Sequence, residues 1–210
     1  MVRNYKIPLQ HELCKNLSYT DIYQMPKVKP YIGEIPSEMI SFNRARASRK
    51  NPVAAIHFFI QDIFFNCVWN APAKYLEMFR QFWGVISTDY SVYADMTKPE
   101  VVWNSYRNKL LAAWLQEKGV TVIPNVSWSR PWSYDFCFDG FPKHSVIAIN
   151  STGVRKNSFS SDLWIQGYEK AIEILEPIKI VRYGAKQDGE NESISVYFPN
   201  DNYKSACYGR

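Results

Sequence analysis

The hydrophobic positions fall into two regimes that divide the chain near residue 50. Residues 1–50 hold no lasting period, and Pro8, Pro26, Pro30 and Pro36 interrupt any helix that would begin there. From residue 53 onward, continuous apolar runs alternate with helical patterns. "VAAIHFFI" is an apolar, partly β-branched run that ends at Gln61-Asp62. "NAPAKYLEMFRQFWG" predicts a helix, with Asn70 as its cap, Pro72 in its first turn and Gly84 as its stop. "VIS" then reads as a strand and meets Thr88-Asp89-Tyr90-Ser91. "TKPEVVWNSYRNKLLAAWLQEKG" carries the strongest helical signal. Thr97 and Glu100 have capping-box spacing, Trp103, Tyr106, Leu110 and Trp114 share one face, and Lys118-Gly119 close the segment.

The remainder repeats the alternation. "VTVIPNVSW" is β-branched up to Pro124-Asn125, and an aromatic insert of poor period follows it. "SVIAINSTG" is a strand ending in small polar groups, "SSDLWIQGYEKAIEILEP" a helix, "IKIVRYG" a further strand, and the tail after it has room for one more. The joints from helix to strand are very short, reading "WG-V", "KG-V" and "LEP-I". This pattern predicts an α/β fold of repeated βα units around a parallel sheet. The length suits a small or incomplete TIM-barrel-like fold, since a complete one takes about 250 residues, and an open doubly wound sheet is the alternative. The expected organisation is an irregular basic arm over residues 1–50 and a single α/β domain over 51–210.

In parallel α/β folds the ligand site lies beyond the carboxyl ends of the strands. Here every apolar run turns polar or small at that place: Gln61-Asp62, Thr88 to Ser91, Asn125, Ser127 and Trp128, Ser151-Thr152-Gly153, and Tyr183-Gly184. Asp62 and Asp89 are the rim carboxylates. They are candidates for an acid/base pair or for a divalent cation such as Mg²⁺, which favours carboxylate and water oxygens. The competing reading of each is an Asx cap just past a strand. Arg107, one turn beyond Trp103, is a candidate clamp for a carboxylate or an anionic ligand. Tyr90, Ser91, Asn125, Ser127, Trp128, Asp139, Ser151, Gly153 and Tyr183 complete the expected ligand-contacting set. His57 lies within an apolar run and reads as a core histidine.

Composition refines this picture in two respects. Residues 1–50 hold nine Lys/Arg against four Asp/Glu, so the whole net charge of +5 resides there, with a peak at Arg44, Arg46, Arg49 and Lys50. A cluster of this kind suits phosphates, whereas a solvated loop is the plainer account. Cys14, Cys67, Cys137 and Cys207 are dispersed, without metal-ligand spacing, and read as free thiols. No apolar run approaches the roughly 20 residues of a membrane span, and the N-terminal residues lack the apolar core of a secretory signal. Phosphate-loop, dinucleotide, nucleophile-elbow and zinc-protease motifs are absent.

Several long segments then stand in a familiar order. "HFFIQDIFFNCVWNAPAKYLEMFRQFWGVISTDYSVYADM", "WNSYRNKLLAAWLQEKGVTVIPNVSW", "FCFDGFP", "INSTGV", "GYEKAIEILEP" and "VRYG" together resemble domain-of-unknown-function family 4417 over residues 40–185. The family pattern has H-F-F-[LI]-D-D, then P-D-F-S-x-Y-x-D-M-P. Gln61 stands in place of its first Asp, while Asp62, Asp89, Ser91, Asp95 and Met96 match, as do Arg107, Pro124, Trp128, Asp139-Gly140 and Gly153. The resemblance implies a protein of phages, plasmids and integrated elements, largely of Firmicutes, acting in the cytoplasm of a bacterial host. It implies no reaction. Three expectations follow: a nucleic-acid- or nucleotide-linked function, an enzyme acting on a small molecule, or a factor that engages a host protein through aromatic residues around Trp128, Trp132, Tyr134 and Phe141.

Overall fold

The computed structural model describes residues 9–48, 50–154 and 158–200. In chain order its elements are β1 (Glu38–Ser41), α1 (Phe42–Ala45), β2 (Asn51–His57), α2 (Asn66–Asn70), α3 (Leu76–Arg80), β3 (Phe82–Ile86), α4 (Lys98–Glu117), β4 (Val122–Ile123), α5 (Tyr134–Cys137), β5 (Val146–Asn150), α6 (Ser158–Leu175), β6 (Lys179–Tyr183) and β7 (Ser195–Phe198). β1 to β4 form one sheet and β5 to β7 a second, and every pairing is parallel. A single bridge between Asn125 and Ala148 joins them. There the Ala148 N–H donates to Pro124 O at 2.7 Å and the Val126 N–H to Ala148 O at 2.9 Å.

The strand order follows the chain without reversal, so the winding keeps one sense throughout. β7 forms no ladder with β1 among the described residues, and no closed barrel results. The α/β expectation therefore holds in an incomplete form. One apolar cluster takes Met39, Ala55, Ile86, Ile123, Ala148 and Val181 from β1 to β6 in turn, with Phe198 of β7 packed against it. A shared face of the strands thus encloses its own core, and the helices cover the opposite faces with two larger clusters. No described helix is long and apolar enough to cross a membrane.

The α4 prediction matches in detail: Thr97 and Glu100 form the reciprocal capping box, and Leu110 and Trp114 are buried. The helix expected from Asn70 to Gly84 is instead broken. Asn70 ends α2, a 3₁₀ turn spans Pro72–Tyr75, and β3 begins at Phe82. Pro72 lacks the N–H that would continue α2. Gly84 is a strand residue, and a Cβ there would lie 2.5 Å from Thr121 O of the segment leading into β4. Its role is close strand approach, not helix termination. The expected irregular arm also contributes β1, whose residues Glu38 to Ser41 pair with Ala54 to His57. Four residues with an exposed glutamate at their head give too weak a period to be read as a strand.

Candidate functional site

A pocket of about 710 Å³ opens at the carboxyl ends of β2 to β5. Its wall is assembled from short segments that each follow a strand: Phe59 to Gln61 after β2, Asp89 and Ser91 to Ala94 after β3, Val126 to Ser129 after β4, and Asn150 with Thr152 to Val154 at the end of β5. Leu163 and Trp164 of α6 close one side. In α6, Gly167 lets the Trp128 indole seat against the helix, since a Cβ there would lie 2.0 Å from Trp128 Nε1.

Asp89 is the carboxylate of this pocket. Asn125 Nδ2 donates to its Oδ1 at 2.8 Å and Asn150 Nδ2 to its Oδ2 at 3.3 Å. Burial raises its pKa from 3.8 to about 6; the two carboxamides act in the opposite direction, and the charge of Asp62 adds to the rise. Such a group changes protonation close to neutral pH, which is the requirement for a general acid or base.

The loop carrying Asp89 is held from two sides. The Tyr90 N–H donates to Asn108 Oδ1 at 2.8 Å, and Asn108 Nδ2 returns a bond to Tyr90 O at 3.1 Å. Asn104 Nδ2 donates to Ser91 O at 2.6 Å. From the other side Asp62 accepts from Ser91 N at 3.2 Å and Ser91 Oγ at 2.9 Å. Asn104 and Asn108 are buried polar positions of α4, four residues apart and therefore on one face. Replacing Asn108 by Ala leaves a buried N–H and C=O of Tyr90 without partners. We expect a loss of about 2–3 kcal/mol in urea denaturation and faster amide exchange at Tyr90 and Ser91.

Asp62 and Asp89 occupy different surroundings, although the charge of Asp62 is felt at Asp89. Asp62 ties the loop after β3 from 29 residues away, which is not the local cap that an Asx residue makes, and it is not part of the pocket wall. Arg107 likewise lies outside the pocket wall, with its Nε buried and without a hydrogen-bond partner. It donates to Asn104 Oδ1 at 2.5 Å and lies 3.6 Å from the centroid of the Tyr90 ring, with Trp69 and Trp103 at 5.7 and 5.8 Å. It stacks beneath the loop as a positioning residue. Among the described residues no three His, Cys, Asp or Glu side chains converge on a metal site. A Mg²⁺ ion would have Asp89 as its single carboxylate in the pocket wall, with neutral oxygens and water completing the shell.

Of the other rim residues, Ser91, Ser127, Trp128 and Gly153 line the pocket. Asn125 is buried behind Asp89. Tyr90 is fully buried, its ring under Arg107. Ser151 Oγ donates to Ala185 O at 2.6 Å, tying the loops after β5 and β6 together. Tyr183 packs its ring 4.5 Å from that of His57 and 4.8 Å from that of Phe59, which places His57 in the core as expected. Asp139 lies outside the pocket wall and accepts from the Thr20 hydroxyl at 2.5 Å. Arg44 and Arg46 are exposed, as is Lys50 immediately before β2; Arg49 lies outside the described residues. Cys14, Cys67 and Cys137 are free thiols, and Cys207 lies outside the described residues.

Phe59, Tyr93, Asn150 and Trp164 are wall residues that the sequence reading did not select. Asn150 had a visible signal, as the polar end of the run "VIAIN". Phe59 alternates with Ala55 and His57, a period-two cue to a shared face. Trp164 had none, because its inward position depends on how α6 packs.

A family model described as "Domain of unknown function (DUF4417)" matches residues 17–199. The "Gene 1 protein" of Mycobacterium phage L5 is 32% identical over 165 residues, covering 77% of this chain and 71% of that protein. The "Gene 1 protein" of Mycobacterium phage D29 is 30% identical over 164 residues, covering 77% of this chain and 60% of that protein, so the chain spans less than two thirds of it. No solved structure gives a significant match.

Proposed function

Since the chain belongs to the DUF4417 family, which includes phage proteins, we propose that it binds a small, polar, nucleotide-related molecule in the rim pocket, with Asp89 as general acid or base. The observation that carries this reading is the Asp89 carboxyl itself. It stands in a pocket wall, fixed by two carboxamides, one just after β4 and one at the end of β5, with burial pushing its pKa up to about 6. A carboxylate needed only for capping would not require two orienting amides from different strand ends.

The test is a thermal-shift and calorimetry screen of nucleosides, nucleotides, sugars and amino acids. A ligand that stabilises the native chain should lose at least about tenfold in affinity in Asp89→Asn and in Asn150→Ala. Its affinity should inflect near pH 6. Binding that is indifferent to both substitutions and flat from pH 5 to 7 would remove Asp89 from the role.

A second reading concerns nucleic-acid phosphates, and the exposure of Arg44, Arg46 and Lys50 favours it. Lys50 stands at the start of β2, and its pocket end lies a rise of about 20 Å away. The two features would therefore act on different parts of a ligand. Replacing all three residues by Ala should lower the slope of log affinity against log salt by about 2–3 in filter binding, leaving pocket binding intact. Nucleic-acid binding that ignores salt, or none, would discard this reading. For the host-protein alternative, Trp132 is exposed while Trp128, Tyr134 and Phe141 are half-buried, each against a neighbouring side chain.

A further inference from the structure

Asp89 is the carboxylate acceptor of the pocket wall. Each carboxylate oxygen receives one amide hydrogen and keeps a lone pair free. Behind it Asn125 Oδ1 and the Thr88 hydroxyl are buried without hydrogen-bond partners, outside the pocket wall. The free lone pairs of the Asp89 carboxylate, which stands in the pocket wall, favour a ligand that brings N–H donors. The walls have a different character. Trp164 Nε1 donates to Asn150 O at 3.0 Å and Trp128 Nε1 to Leu163 O at 3.4 Å, so both indoles have their donors satisfied within the protein. Together with Phe59 they offer the pocket apolar ring surface. A molecule suited to both is flat, apolar on its faces, and carries adjacent N–H donors along one edge.

We propose that the pocket takes a heterocyclic base of the guanine type, with a ring N–H and an amino group side by side, and that Asp89 receives that edge. This deepens the pocket reading and rests on it. Carboxylates accept from base amino groups, and enzymes that act on bases hold them by edge hydrogen bonds between apolar walls.

The base has two sources, a free nucleoside or an unstacked nucleotide of a single strand. Exposed aromatic rings bear on this choice, and one of them, Tyr93, lies in the pocket wall. Of the five exposed aromatic side chains among the described residues, Tyr23, Phe64, Tyr93, Trp132 and Phe159, the last four follow β2, β3, β4 and β5. Arg130 lies 5.7 Å from the Phe159 ring, and its Nε donates to Ala94 O at 2.8 Å beside the wall. Exposed rings and a guanidinium plane are the groups on which neighbouring bases stack.

The experiment follows quenching of the intrinsic tryptophan fluorescence by guanosine, uridine, an aliphatic amine and a hexose. Thymidine oligonucleotides with and without one guanine extend the series. Guanosine should bind at least about tenfold more tightly than uridine, which lacks the amino group, and Asp89→Asn should abolish the difference while circular dichroism shows the fold intact. A guanine-bearing strand that binds more tightly than guanosine, with the excess removed by Tyr93→Ala/Phe159→Ala, supports the proposal with a strand as source. Equal binding of the two supports it with the nucleoside as source. Preference for the amine or the hexose overturns the base class and leaves the pocket reading standing. If no compound binds and carboxyl NMR finds Asp89 titrating at the ordinary aspartate value, both fall.

Discussion

Asp89→Asn should be more stable than the native chain at pH 7, by about 2–3 kcal/mol, and should lose ligand binding. Folding raises the Asp89 pKa from 3.8 to about 6, so between these values the native state holds a proton that the unfolded state has released. Stability contributed by this group therefore falls as pH rises from 4 to 6, and the full cost persists above 6. A shift of about two units corresponds to about 3 kcal/mol. Asparagine cannot ionise and escapes that cost once one partner amide flips to present its oxygen. Urea denaturation of both proteins from pH 4 to pH 8 measures the effect. The curves should meet near pH 4 and separate through pH 6. Parallel curves would show that the carboxylate pays no burial cost. Gain of stability with loss of function is the behaviour expected of a group kept for chemistry.

Glu190→Leu should cost about 3–5 kcal/mol, which for a chain of this size lowers the melting temperature by roughly 10 °C. Arg182 of β6 and Glu190 are both fully buried and make two bonds, Nε to Oε2 at 2.7 Å and Nη2 to Oε1 at 2.8 Å. Arg182 Nη1 also donates to Ile149 O of β5, and its guanidinium lies 4.6 Å from the Trp164 ring. Removing the glutamate leaves a buried cation with a backbone carbonyl but no anion beside it, and leaves the Gln187 N–H without its acceptor. The double variant Arg182→Met/Glu190→Leu should recover most of the loss, because it removes the uncompensated charge and keeps the volume. Equal melting temperatures of the single variant and the native chain would show that water reaches the site. Because Trp164 and Asn150 adjoin this pair, the single variant should also weaken pocket binding, whereas the double variant should restore it.

The places where sequence reading succeeded and failed have identifiable causes. "GVISTDYS" shows an apolar run turning polar, and that switch located Asp89 at the wall of the pocket. The same switch at "FFIQD" drew equal attention to Asp62, yet its carboxylate bonds to Ser91. The two residues have the same local pattern, and only the neighbour that each meets across the sheet separates them. Arg107 was visible as a charge on α4, but its partner turned out to be the face of Tyr90, reached through the loop after β3. Asn104 and Asn108 went unread because buried polar residues carry no periodic signal. Helical pattern recognition follows apolar positions, and these two sit among them.

From its sequence alone this chain is an α/β protein of parallel βα units, with polar groups at one end of the strands and a well-capped central helix. Those properties follow from local spacing: residues a few positions apart set strand, helix and cap irrespective of the rest. The partners of each polar group were settled only by tertiary structure. Asn125 and Asn150 meet across Asp89 because β4 and β5 join through one bridge, and their distance from it in sequence, 36 and 61 residues, conceals that. The pKa of Asp89 belongs to the same category, since burial is a property of the assembled walls and not of the residue.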